Sequence, residues 1–122
     1  MKLQVSNTGS SNFFTTHGTG FVSVGGIRHT QSIVVTPNEV LTDWPAPHFE
    51  GLEETHFEYL LALRPDVVLL GTGATQRFPH PRLYRALIAA NIGLECMNTA
   101  AACRTYNILA AEDRKVVAAI LL

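Results

Sequence analysis

LLGTGATQRFPHP, residues 69–81, decides how this chain is read. The apolar run Val67-Val68-Leu69-Leu70 passes without polar alternation into Gly71-Thr72-Gly73. A short continuous apolar run bounded by turn signals fits a strand covered on both faces, as in parallel sheets. Glycines just beyond such a strand supply unusual φ/ψ where the chain leaves the sheet, or let the backbone approach a ligand closely. A dinucleotide fingerprint needs GxGxxG leading straight into a helix. Here Gln76 stands at the third glycine position, and Arg77-Phe78-Pro79-His80 delay helix entry to Pro81. No GxxxxGK[ST] phosphate loop occurs. The loop therefore predicts a shallow site at a strand end, not a dinucleotide cradle.

Helical periods flank this strand. Upstream, Phe57, Leu60, Leu61 and Arg64 recur at helical spacing; Thr55-x-x-Glu58 reads as a capping box and Pro65 as the stop. Downstream, Pro81 suits a first helical position, and Leu83, Tyr84, Leu87 and Ala90 form an apolar stripe closed by a left-handed cap at Asn91 or Gly93. Residues 94–97 predict a strand, Thr99 an N-cap, residues 100–111 a helix and residues 115–122 a last strand. Nearer the start, residues 21–24 and 27–35 flank Gly25-Gly26, a tight-hairpin signal. Residues 40–44 predict a further strand, stopped by Pro45 and Pro47. Alternating strands and helices are α/β logic with right-handed crossovers. The expected fold is α/β: a single three-layer domain over residues 1–122, with a mixed central β-sheet, helices on one side, and an antiparallel hairpin or meander layer from the N-terminal half.

The 122 residues are enough to bury a core without disulfides or a metal. A net charge of −1 argues against nucleic acid and against a polybasic membrane anchor. No apolar run approaches the roughly 20 residues of a membrane span. The start, MKLQVSNTGSSNFF, is unlike a signal or transit peptide, so a cytoplasmic protein is expected. The spacing of Cys96 and Cys103 fits no zinc or thioredoxin pattern. His17, His29, His48, His56 and His80 make no HxH or HExxH pair, so no metal is expected.

In open α/β sheets, ligands and partners meet the carboxyl ends of the strands. The candidate pocket is therefore Gly71, Thr72, Gly73, Gln76, Arg77 and Phe78 of the loop, with Glu95, Met97 and Thr99 of the next strand exit. Glu95 sits between Leu94 and Cys96 in an apolar strand, and a buried carboxylate wants a cation. Arg77 or Arg104 is the expected ion-pair partner. A helical wheel over residues 100–111, centred on Tyr106, gathers Ala102, Cys103, Leu109 and Ala110 on the buried face. Cys103 is thus packing rather than a nucleophile. Arg104, Thr105 and Ile108 form a candidate partner face; Ile108, opposite the core, is covered either by the front hairpins or by a partner. No Ser-His-Asp order, GxSxG or pair of acids appears, so no catalytic residue and no cofactor is named.

LLGTGATQRFPHP (69–81), IGLECMNTAAACRTYNILAAEDRKVVAAIL (92–121), FVSVGGIRHTQSIVV (21–35) and LTDWP (41–45) together resemble a family of unknown function. Its best-described eukaryotic members are mitochondrial respiratory complex I assembly factor three and the adipogenesis-associated domain protein. The matching motif residues are Gly71, Gly73, Gln76, Arg77, Pro79, Glu95, Met97, Thr99, Thr105, Tyr106 and Asn107. The resemblance implies a three-layer α/β domain on a mixed sheet and no established enzyme activity. It points to a non-catalytic binding protein with a protein partner, helping to assemble a respiratory or other membrane complex. The alternative is a small-molecule binding protein or enzyme, taking an anion or phosphate-bearing ligand in a pocket at the C-terminal edge of the strands. Nucleic acid and membrane insertion are not expected, and the oligomeric state is open.

Overall fold

A computed structural model describes residues 11–122; the leader reading of MKLQVSNTGSSNFF falls mostly outside them. Three antiparallel strands open the described chain: β1 (Phe14–Gly18), β2 (Phe21–Val24) and β3 (Ile27–His29). Gly25 and Gly26 join β2 to β3 with φ of +56° and +85°, the two left-handed residues of a tight hairpin loop. The expected strand over 27–35 divides at Thr30-Gln31-Ser32. Its first part pairs with β2, whereas β4 (Ile33–Val35) pairs with a different sheet. The polar triplet carries the chain between the two layers.

The larger sheet has the order β5-β4-β8-β6-β7, with β5 (Val40–Leu41), β6 (Val67–Gly71), β7 (Gly93–Met97) and β8 (Val116–Ile120). β8 runs parallel to β6 and antiparallel to β4, so the sheet is mixed. β5 is shorter than the strand expected over 40–44 because Trp44 leaves the sheet to donate its indole N–H to His56 O at 3.0 Å. Every residue of β8 is buried. Val116, Ala118 and Ile120 face one core, with Leu69, Ile33, Val35 and the β1–β2 residues Phe14, Val22 and Val24. Val117 and Ala119 face the other, with Val68, Leu70, Val34 and Trp44.

Helices α1 (Glu54–Leu61) and α2 (Arg85–Ala89) cover the second core through Phe57, Leu60 and Leu87. Helix α3 (Thr99–Ala111) covers the first core through Ala102, Cys103, Tyr106 and Ala110. The mixed sheet and the antiparallel N-terminal layer are as expected. In detail, α3 shares its face of the sheet with that layer, while α1 and α2 lie opposite.

Two helix starts differ from the sequence reading. Helix α1 is capped by Glu53, whose N–H donates to His56 Nδ1 at 3.0 Å, and Thr55 lies exposed in the first turn. Starting there puts His56, Phe57 and Leu60 together on the buried side. Helix α3 is capped by Asn98, whose Oδ1 accepts from Ala101 N–H at 2.8 Å. Thr99 is its first helical residue, which frees the hydroxyl for the loop. The segment after the GTG loop begins as a 3-10 turn, Pro81–Tyr84, with His80 Nδ1 accepting from Arg82 N–H. Asn91, at φ +60°, supplies the left-handed cap after α2.

Candidate functional site

Gly71 ends β6 beneath α3. A Cβ there would lie 2.9 Å from Ile120 Cδ1 and 3.3 Å from Ala102 Cβ, so its role is close packing. Thr72 is buried: its N–H donates to Met97 O at 2.9 Å, and its Oγ1 donates to Thr75 O at 2.6 Å while accepting Arg77 N–H at 3.1 Å. Gly73, at φ +92°, is tied reciprocally to the start of α3. Its N–H donates to Thr99 Oγ1 at 3.0 Å, and its carbonyl accepts Thr99 N–H at 2.9 Å.

Beyond Gly73 the loop crosses the end of the sheet. Gln76 Nε2 donates to Cys96 O at 2.9 Å. Arg77 turns the other way, its Nη1 lying 2.7 Å from Glu50 Oε2 and its guanidinium 4.1 Å above the Phe49 ring. That contact holds the Glu50 carboxyl below its usual range. Pro79 is buried, whereas Phe78 between these anchors is 71% exposed.

The expected pairing of Glu95 with Arg77 or Arg104 does not occur: among the described residues Arg77 pairs with Glu50, and Glu95 joins no ion pair. The physical reason is topological. β7 is an edge strand, and Glu95 points past α3 into solvent, so its charge is never desolvated. Met97 is half-buried against the first core. Arg104 and Ile108 are exposed, Ile108 by 60%, and Thr105 is half-buried. The front hairpins do not cover Ile108.

Tyr106 and Asn107 meet the hairpins instead. Tyr106 OH donates to Asn12 O at 3.0 Å, and its ring packs edge-on against Phe14 at 5.2 Å. Asn107 accepts Phe14 N–H at 2.9 Å and donates to Phe14 O at 2.8 Å, standing in for a neighbouring strand. These two motif residues lock β1 to α3.

The loop residues therefore do not converge on one cavity. Gly73 and Thr99 line a cleft of about 410 Å³, with His17–Gly20 of the β1–β2 turn, Ala74, Asn98, Ala100, Leu121 and Leu122. The remaining candidate pocket residues lie outside it. The sequence reading missed His17 and Thr19, whose only signal was the Gly18-Thr19-Gly20 turn. It also missed Glu50, which lies far from Arg77 in sequence. A larger cleft of about 460 Å³ lies at the other end of the sheet, by Thr36–Glu39, Pro65, Asp113 and Lys115. The smaller one sits at the carboxyl ends of the parallel strands, where open α/β sheets meet their ligands.

Chemistry at these places is limited. Burial, then Glu95, pushes the Cys96 thiol up to about 11, and burial pushes Cys103 up to about 12. Neither is a thiolate at neutral pH. Both are unbridged. No group of three or more metal-ligating side chains assembles among the described residues. No helix among them is long and apolar enough to cross a membrane.

A family model described as a protein of unknown function (DUF498/DUF598) matches residues 14–121, from the first residue of β1 to just past β8. The chain belongs to this DUF498/DUF598 family. A crystal structure of a Bordetella parapertussis protein superimposes with a TM-score of 0.86 at 36% identity, covering 92% of this chain and 96% of that one. A Francisella tularensis protein named 13 kDa major membrane protein is 31% identical over 59% of this chain and 58% of its own length. Bovine NADH dehydrogenase [ubiquinone] 1 alpha subcomplex assembly factor 3 is 31% identical over 84% of this chain and 55% of its own length. The chain thus spans little more than half of these two curated relatives. The DUF498/DUF598 match runs through the GTG loop, the QRFP anchor and α3 alike.

Proposed function

We propose that this DUF498/DUF598 chain is a cytoplasmic, non-catalytic binding domain that docks a protein partner through the tip of the 72–80 loop and serves the assembly of a larger complex. One observation carries the reading: Phe78 is 71% exposed while its neighbours are held, Gln76 by Cys96 O, Arg77 by Glu50 and Phe49, and Pro79 by burial. A large aromatic side chain presented on an immobilised loop loses little further entropy on binding and suits an interface anchor. The name of the bovine relative supports assembly as the context. The test is a photoreactive phenylalanine analogue at position 78, with one at Ile27, similarly exposed on the hairpin layer, as control. A defined adduct in the native host from position 78, absent from position 27, is expected. No adduct from 78, or the same adducts from both, overturns the reading.

The cleft beside Gly73 favours a second reading, a small anionic ligand held by Thr19, Asn98 and Thr99. A phosphate titration that perturbs the backbone amides of residues 73 and 98–100 would favour it over docking.

A further inference from the structure

β7 is an edge of the larger sheet, and such edges invite another strand. Met97 O accepts Thr72 N–H, so the backbone groups of Met97 and, by the two-residue period of a strand, of Glu95 and Gly93 point at β6. Those of Leu94 and Cys96 therefore point outward. The outward carbonyl of Cys96 is taken by the Gln76 side chain at 2.9 Å. Between the two outward-facing residues stands Glu95, exposed and without an ion-pair partner among the described residues.

These two features act against the same event. The antiparallel pairing of two copies that uses both outward residues sets Leu94 of one opposite Cys96 of the other. It is centred on Glu95, so it places the two Glu95 side chains directly across from each other. Like charges so placed are destabilising. The same pairing needs the Cys96 carbonyl that Gln76 occupies. We propose that Gln76 and Glu95 together seal the β7 edge against a second copy of this chain, one by occupying the Cys96 carbonyl and the other by charge. The docking loop thus has a second task, because Gln76 lies two residues before Phe78. This inference rests on the edge geometry alone and survives if Phe78 binds nothing.

The test compares the wild type with Gln76→Met, Glu95→Gln and the double variant. Methionine keeps the length of glutamine without a donor, and glutamine keeps the shape of glutamate without the charge. Both sites are exposed, and circular dichroism verifies folding. Light scattering across a concentration series should show self-association of the double variant, with a dimer dissociation constant about tenfold or more below that of the wild type. Hydrogen exchange of the associated species should show new protection at the Leu94 and Cys96 amides. Unchanged self-association in the double variant overturns the proposal, and so does association that protects amides elsewhere. If Gln76→Met does not fold, Gln76→Ala replaces it with the same expected and overturning results.

Discussion

Replacing Asn107 tests whether the link between α3 and β1 is architecture. Its amide makes two hydrogen bonds to the backbone of Phe14, at 2.9 and 2.8 Å, both partly buried. Asn107→Ala removes both and leaves a backbone N–H and C=O without partners. A net hydrogen bond contributes about 0.5–1.5 kcal/mol, and an abandoned buried group costs about 1–3 kcal/mol. Water reaches part of this site, so the sum is set nearer the lower figures, about 2–3 kcal/mol. Urea unfolding followed by tryptophan fluorescence measures it, with Trp44 as the buried reporter. The melting temperature should fall by about 10 °C. Asn107→Asp should cost at least as much, because a carboxylate oxygen then faces the Phe14 carbonyl and both are acceptors. If both variants unfold within about 0.5 kcal/mol of the wild type, the bridge contributes nothing and the strand-substitute reading is wrong.

Gly71→Ala should destabilise by about 1–3 kcal/mol through overpacking against Ile120 and Ala102, read by the same unfolding assay. Phe78→Ala should leave stability within about 0.5 kcal/mol of the wild type, since the ring packs on little, and any larger loss removes it as a free anchor. Burial, partly offset by Glu53, lowers the His56 pKa below its ordinary 6.5. The unfolded chain then binds the proton first, so stability is full above that value and declines as pH falls through it toward the folded pKa. His56→Gln, which keeps an acceptor for the Glu53 N–H, should flatten that decline in denaturation curves taken from neutral to mildly acid pH. Both cysteines should react with an aromatic disulfide reagent after denaturation without reductant, and slowly before it; a missing thiol would contradict the unbridged state.

The parts of the fold legible in the sequence are those whose pattern is local. Val67–Leu70 reads as a strand buried on both faces because no polar residue interrupts it, and Gly25-Gly26 reads as a hairpin because only such residues take two consecutive left-handed conformations. The Tyr106 face of α3 follows from helical spacing alone. Strand order is not local, and the errors follow from it. Glu95 looks buried in its own strand and is exposed because that strand is last in the sheet. Arg77 looks free because Glu50 and Phe49, its counterparts, belong to a turn that the chain reaches long before. Thr99 has the residue type of a cap, but Gly73 claims its hydroxyl and Asn98 takes the capping role.

The position of β8 has a consequence for how this molecule is born. Residues 116–120 form the middle of the five-stranded sheet, between β4 and β6, yet they follow both in the chain. As the polypeptide leaves the ribosome, β4 with β5 and β6 with β7 emerge as two separate fragments, each with a bare inner edge. Neither can close on the other until the β8 segment has cleared the exit tunnel. Contacts such as Ile33 to Ile120 join distant parts of the chain, and loop closure over that span must precede any gain from pairing. Translation therefore runs ahead of folding here. During that interval the inner edges are more open to neighbours than the finished sheet ever is.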